Sequence, residues 1–111
     1  MTLNVEKVFN SHCKFIHDMP GLIELFNTHS SIVMSWGAHD FKSIEDKALR
    51  FTVSGHHHKG NIFIFLYTND TFEIYLTDNK AKIKEQINDI NIDTLIDTLD
   101  RKIDWIEGYK Q

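Results

Sequence analysis

Apolar positions recur near every 3.6 residues over 4–18, where Val5, Val8, Phe9, His12, Phe15 and Ile16 fall on one stripe. With Asn4 placed to cap it, this stretch predicts an N-terminal helix. Met19-Pro20-Gly21 then stops or redirects the chain, because proline lacks an amide proton and disfavours helix before it. Residues 21–28, GLIELFNT, predict a short second helix after that break.

Beyond His29 the period changes from helical to alternating. Ile32, Met34 and Trp36 fall on one side and Val33 and Ser35 on the other, which predicts a strand. Gly37 interrupts it and Phe41 resumes it, before the polar turn Ser43-Ile44-Glu45-Asp46-Lys47. Leu49, Phe51 and Val53 alternate with Arg50, Thr52 and Ser54 as a half-buried strand does. Residues 54–60 connect it to Ile62–Tyr67, which is apolar on both faces and therefore predicted to be central. After a tight turn at Thr68-Asn69-Asp70, Phe72, Ile74 and Leu76 alternate with Thr71, Glu73 and Tyr75.

Residues 80–90 fit two patterns. Ala81, Ile83, Glu85 and Ile87 alternate like an edge strand, while Ile83, Ile87 and Ile90 also fit a helical stripe. Lysines 80, 82 and 84 suit a solvated helix or a charge-protected sheet edge, and the alternation favours a fifth, edge strand. Residues 93–107 carry the clearest helical stripe, Leu95, Ile96, Leu99, Ile103 and Ile106, with Asp93 as cap and Gly108 as stop.

Short connections between strands favour antiparallel pairing, since parallel pairing needs long crossovers. The pattern therefore predicts one α+β domain over residues 1–111. In it an antiparallel sheet of four to five strands, in a meander, packs against the N-terminal and C-terminal helices as two layers. A count of four strands is the central expectation, and the fifth strand is the edge just described.

Composition narrows the function classes. With 111 residues, 41% hydrophobic and 25% charged, the chain is globular and large enough for one core. Sixteen acids against twelve bases give a net charge of −4, which argues against a nucleic-acid binder held by phosphate contacts. The single cysteine, Cys13, excludes an intrachain disulfide and a multi-cysteine metal site. The opening MTLNVEKVFN has no basic start followed by an apolar stretch, and no apolar run approaches the ~20 residues of a membrane span. The expectation is a cytoplasmic protein without a membrane segment.

Candidate chemistry centres on His56-His57-His58. Imidazole is a common ligand of zinc and similar divalent ions, and in an extended segment only the first and third of three neighbours share a side. His56 and His58 would form half a metal site, completed by His39 and Asp40 from an adjacent element. Against this stands a plain polar turn with solvated histidines, and HExxH and CxxC are both missing. Cys13 with His12 and His17 offers a thiol and neighbouring bases, but one turn of a helix lacks the cleft a nucleophile needs, so a structural cysteine is expected. Asp40 with Glu45 or Asp46, and Asp70 with Glu73, read as turn and strand-start carboxylates; Gly55 and Gly60 join two strands and form no phosphate loop. No catalytic set emerges.

The aromatic residues suggest a surface. Trp36, Phe63, Phe65 and Tyr75 lie on strands predicted to be apolar on both sides, and a face left uncovered by helices would meet a partner or a second copy. Met34-Ser35-Trp36-Gly37, Leu49-Arg50-Phe51-Thr52-Val53 and Lys59-Gly60 resemble a group of small uncharacterised bacterial proteins, of the accessory kind carried by phages and mobile elements. That resemblance covers about residues 32–106 and implies a non-enzymatic accessory role, with no activity or catalytic residue to carry over. The expected function is thus protein binding or regulation, with self-association as a homodimer included. A metal-binding protein or metal-dependent enzyme is the alternative, and single-strand nucleic-acid stacking on Trp36 or Tyr75 is least favoured by the acidic balance.

Overall fold

The computed structural model describes residues 2–16, 18–67 and 69–104. Its elements run α1 (Val5–His12), β1 (Cys13–Lys14), α2 (Met19–Thr28), α3 (Ser30–Ser35), β2 (His39–Ile44), β3 (Ala48–Ser54), β4 (Lys59–Tyr67), β5 (Phe72–Thr77), β6 (Ile83–Ile90), a 3₁₀ turn (Ile92–Thr94) and α4 (Leu95–Ile103). The sheet is an antiparallel meander in the order β2-β3-β4-β5-β6, with β4 central as its two apolar faces predict. Residues 83–90 are the edge strand. This is the α+β fold of antiparallel sheet and packed helices that the pattern implies. No helix among the described residues is long and apolar enough to cross a membrane.

Two elements depart from the sequence pattern. The first helix ends at His12 instead of continuing to residue 18. Cys13 and Lys14 extend and pair with Tyr67 and Leu66, the part of β4 that runs beyond its pairing with β3. Sheet hydrogen bonds thereby outweigh the helical stripe, and Phe15 is left exposed. The second departure is larger: residues 30–35 are helix, not strand. Val33 and Trp36, three apart, turn inward against Phe26 of α2, while Met34 turns out to solvent. In a stretch this short, alternation and helical spacing overlap, and packing against α2 selects the helix. α2 itself starts at Met19, ahead of the predicted residue 21. Asp18 caps the Gly21 amide at 3.2 Å, and Pro20 sits in the first turn, where no amide donor is needed. Residues 105–107 and Gly108 of the expected C-terminal helix lie outside the described residues.

The hairpin turns follow their local chemistry. Glu45 and Asp46 both have positive φ, 49° and 59°, and the Lys47 amide donates to the Ile44 carbonyl at 2.8 Å. That is the mirror-image turn whose twist suits a two-residue hairpin. At the β5–β6 turn, Asp78 accepts from the Lys80 and Lys82 amides at 2.8 and 2.9 Å.

Cross-strand register sorts the side chains onto two faces. Leu49, Phe51, Val53, Ile62, Ile64, Ile74 and Leu76 form one face, and α2, α3 and α4 cover it with Leu22, Phe26, Trp36, Leu95, Leu99 and Ile103. Sheet and these helices make the two layers. Ala48, Phe63, Phe65, Glu73 and Tyr75 form the other face, over which Leu3, Val5 and Val8 of the α1 segment pack. The two terminal helices therefore lie on opposite faces, and β4 is apolar on both sides because each side is covered. Lys47 holds α1 in place, pairing with Glu6 at 2.6 Å and lying 5.0 Å over the Phe9 ring.

Candidate functional site

The loop between β3 and β4 carries the three histidines, and each is drawn into the fold. Gly55 leaves room for the Ile103 carbonyl at the end of α4, where a Cβ would collide with that backbone oxygen. The His57 amide donates to the same carbonyl at 2.8 Å. His56 Nδ1 lies 2.6 Å from Asp104 Oδ1, and the His56 amide donates to the same oxygen at 3.2 Å. His58 is buried with Nε2 3.4 Å from the Asn61 carbonyl, and burial holds its imidazole below the ordinary pKa, keeping it neutral. His39 Nδ1 faces the Gly37 carbonyl at 2.9 Å, and Asp40 pairs with Arg50 at 3.3 Å.

The structure thus places His56, His58, His39 and Asp40 in separate engagements. Among the described residues no three His, Cys, Asp or Glu side chains form a group that could hold a metal ion. The loop functions as a clamp on α4. Sequence reasoning missed its side-chain anchor, Asp104, and the neighbouring Asp100, because both sit on what reads as the polar side of the last helix. Asp100 accepts the Trp36 indole N–H at 2.9 Å in the interior.

The expected aromatic surface also needs correction. Trp36, Phe63, Phe65 and Tyr75 are all buried within the chain. Trp36 lies under α4 beside Phe26 and Phe51, and the other three lie beneath α1. Strand alternation identified the faces of Phe63, Phe65 and Tyr75, while Trp36 ends helix α3 instead of lying on a strand, and only the placement of helices on both sides of the sheet decides that all four are inside.

Beneath α1 sits a polar cluster absent from the sequence reading. Glu73 is 1% exposed on interior strand β5, between Phe65 of β4 and the edge strand β6. Its Oε2 accepts from Gln86 Nε2 at 2.9 Å, Cys13 Sγ lies 3.9 Å from its Oε1, and Tyr75, buried on the same face, is its neighbour two residues along β5. Burial, with the carboxylate second, pushes the Cys13 thiol up to about 12. Tyr75 is raised for the same reasons. The thiol stays protonated, which supports the structural role expected of Cys13; His17, its expected neighbour, lies outside the described residues. A signal for the cluster existed: Glu73 and Tyr75 alternate onto the same side of the sheet as the apolar Phe63 and Phe65.

A second feature arises from the helical form of residues 30–35. Between α2, α3 and β2 runs an apolar groove of about 430 Å³, lined by Ile23, Phe26, Val33, Met34, Ala38 and Phe41. Met34 is 75% exposed and Phe41 37% exposed. Its floor is aromatic: Phe41 stacks on Phe51 at 4.8 Å, and Phe26 meets both rings edge-on at 5.8 and 5.4 Å.

No protein-family model matches the chain, and no curated protein or solved structure matches it either. The resemblance to bacterial accessory proteins therefore has no matched relative behind it, and function must be argued from these sites.

Proposed function

We propose that this protein is a binding module that takes an apolar segment of a partner protein into the groove between α2, α3 and β2. The observation that carries this reading is the pairing of two exposed apolar side chains, Met34 and Phe41, with a preformed aromatic floor. Methionine adapts to the shape of a partner, while stacked rings supply fixed, dry surface. Side-chain docking suits this molecule better than strand addition. Both sheet edges are interrupted by register shifts and by aspartates of positive φ, Asp40 at 60° and Asp89 at 59°. Lys42 and Lys84 on those edges oppose further pairing. A partner helix or turn that presents one or two anchors to the groove fits the geometry.

The test is photo-crosslinking in the native host, with a benzophenone amino acid at Met34 and, as a control, at the exposed Asp93. One dominant protein adduct from position 34 and none from 93 is the expected result. An adduct with a second copy would identify the occupant as self. Equal labelling from both positions, or none from 34, would overturn the reading.

A further inference from the structure

Three sulfur atoms belong to the described residues, and the fold treats them differently. Cys13 is partly buried, and its thiol is pushed up to about 12, so almost none of it is thiolate near neutral pH. Met19, in the first turn of α2, is 6% exposed and belongs to the core. Met34 is 75% exposed, on the solvent side of α3 and on the rim of the apolar groove. A dissolved oxidant therefore meets the Met34 thioether first. A thioether has no proton to lose, so its reactivity follows exposure alone.

Met34 also sits where a chemical change spares the fold. Val33 and Trp36 hold α3 and its end against the core, while the Met34 side chain lies outside it. Modifying Met34 alters the groove and leaves the packing of α3 on α2 untouched. The lining around it is mostly apolar, and only Asn27 and Ser30 bring polar side chains.

We propose that Met34 is a modification site, a methionine whose oxidation to the sulfoxide by a peroxide switches the groove from binding to non-binding. This rests on the reading of the groove as a docking site. The sulfur lone pair attacks one peroxide oxygen: an S–O bond forms, the O–O bond breaks, and the sulfur gives up two electrons. With hydrogen peroxide, the departing hydroxide takes the proton of the new S–OH group and leaves as water. The product carries a polar acceptor oxygen where the side chain was apolar, and sulfoxide reductases can remove it. A partner that covers Met34 would then have to strip water from that oxygen against a mostly apolar lining.

The test has two arms. In the first, purified protein is treated with a small excess of hydrogen peroxide and each sulfur is followed by peptide mass mapping. Exposures of 75% and 6% predict oxygen addition about tenfold faster at Met34 than at Met19, with Cys13 unmodified and the urea midpoint unmoved. Met19 or Cys13 reacting as fast as Met34, or a lowered midpoint, would overturn the proposal. In the second arm a benzophenone amino acid replaces Asn27, an exposed residue of the same groove, and reduced or oxidised protein is irradiated in host extract. The adduct of the reduced protein should fall at least about tenfold on oxidation, whereas Met34→Leu should keep its adduct after peroxide. An adduct that survives oxidation, or one lost equally in Met34→Leu, would overturn this proposal alone. No adduct from the reduced protein would overturn the docking reading and this proposal with it.

Discussion

The indole N–H of Trp36 donates to the carboxylate of Asp100 at 2.9 Å, and both side chains are buried. The bond ties the end of α3 to the middle of α4 across 64 residues of sequence. Two helices on one face of the sheet are thereby fixed relative to each other by a polar contact inside an apolar layer.

Removing one partner strands the other. Asp100→Ala leaves the indole N–H without this acceptor in a dry site and is expected to lower stability by about 1–3 kcal/mol. In a double-mutant cycle with Trp36→Phe, read by urea denaturation, the two losses should sum to more than the loss in the double variant. Strict additivity would show that the bond contributes nothing.

Stability should fall as the solution becomes acidic. The folded state holds His58 neutral, mainly by burying it, with its pKa below the ordinary 6.5. As pH falls through that ordinary value the unfolded chain takes up a proton first, so this stability is complete above it and declines below. Urea midpoints compared between about pH 7.5 and about pH 5 should drop less in His58→Gln than in the unmodified protein. Equal drops would contradict the assignment.

Cys13 should be a sluggish thiol. Its pKa of about 12, against an ordinary 9.0, leaves about a thousandfold less thiolate near neutral pH than a free cysteine has. Iodoacetamide should modify the native protein far more slowly than the urea-unfolded chain. The same shift has a stability consequence of opposite sense to that of His58: the contribution is intact below pH 9.0 and is lost as pH rises towards about 12. Native and unfolded protein reacting at one rate would place the thiol in water.

Gly55→Ala tests the clamp on α4. The added methyl group would meet the Ile103 carbonyl, a backbone atom that cannot swing aside. A loss of about 1–3 kcal/mol is expected, typical of forced overpacking. Amide exchange should rise in α4 and in the loop of His56 before it rises in β4. Uniform exchange would mean the loop and helix are not coupled.

Much of the fold was legible in the chain. Period-two alternation marked β3 and β5, the doubly apolar Ile62–Tyr67 marked the central strand, and the stripe from Leu95 to Ile103 marked the last helix. Each signal is local, since the backbone period itself decides which residues share a face. The candidate sites were not legible in the same way. Val33 and Trp36 turn inward only because Phe26 is there to meet them, and this makes residues 30–35 a helix and opens the groove beside Met34. Glu73 and Tyr75 share a face by alternation, yet the α1 segment crossing that face is what buries them. His56 and Asp104 are neighbours only because β3 ends where α4 ends. The sequence by itself determined β3, β4, β5 and the edge strand at 83–90, their faces and their antiparallel pairing, through periods and turns that span a few residues. Tertiary structure alone decided which helix covers which face. That choice depends on contacts between segments far apart in the chain, and no local period encodes them.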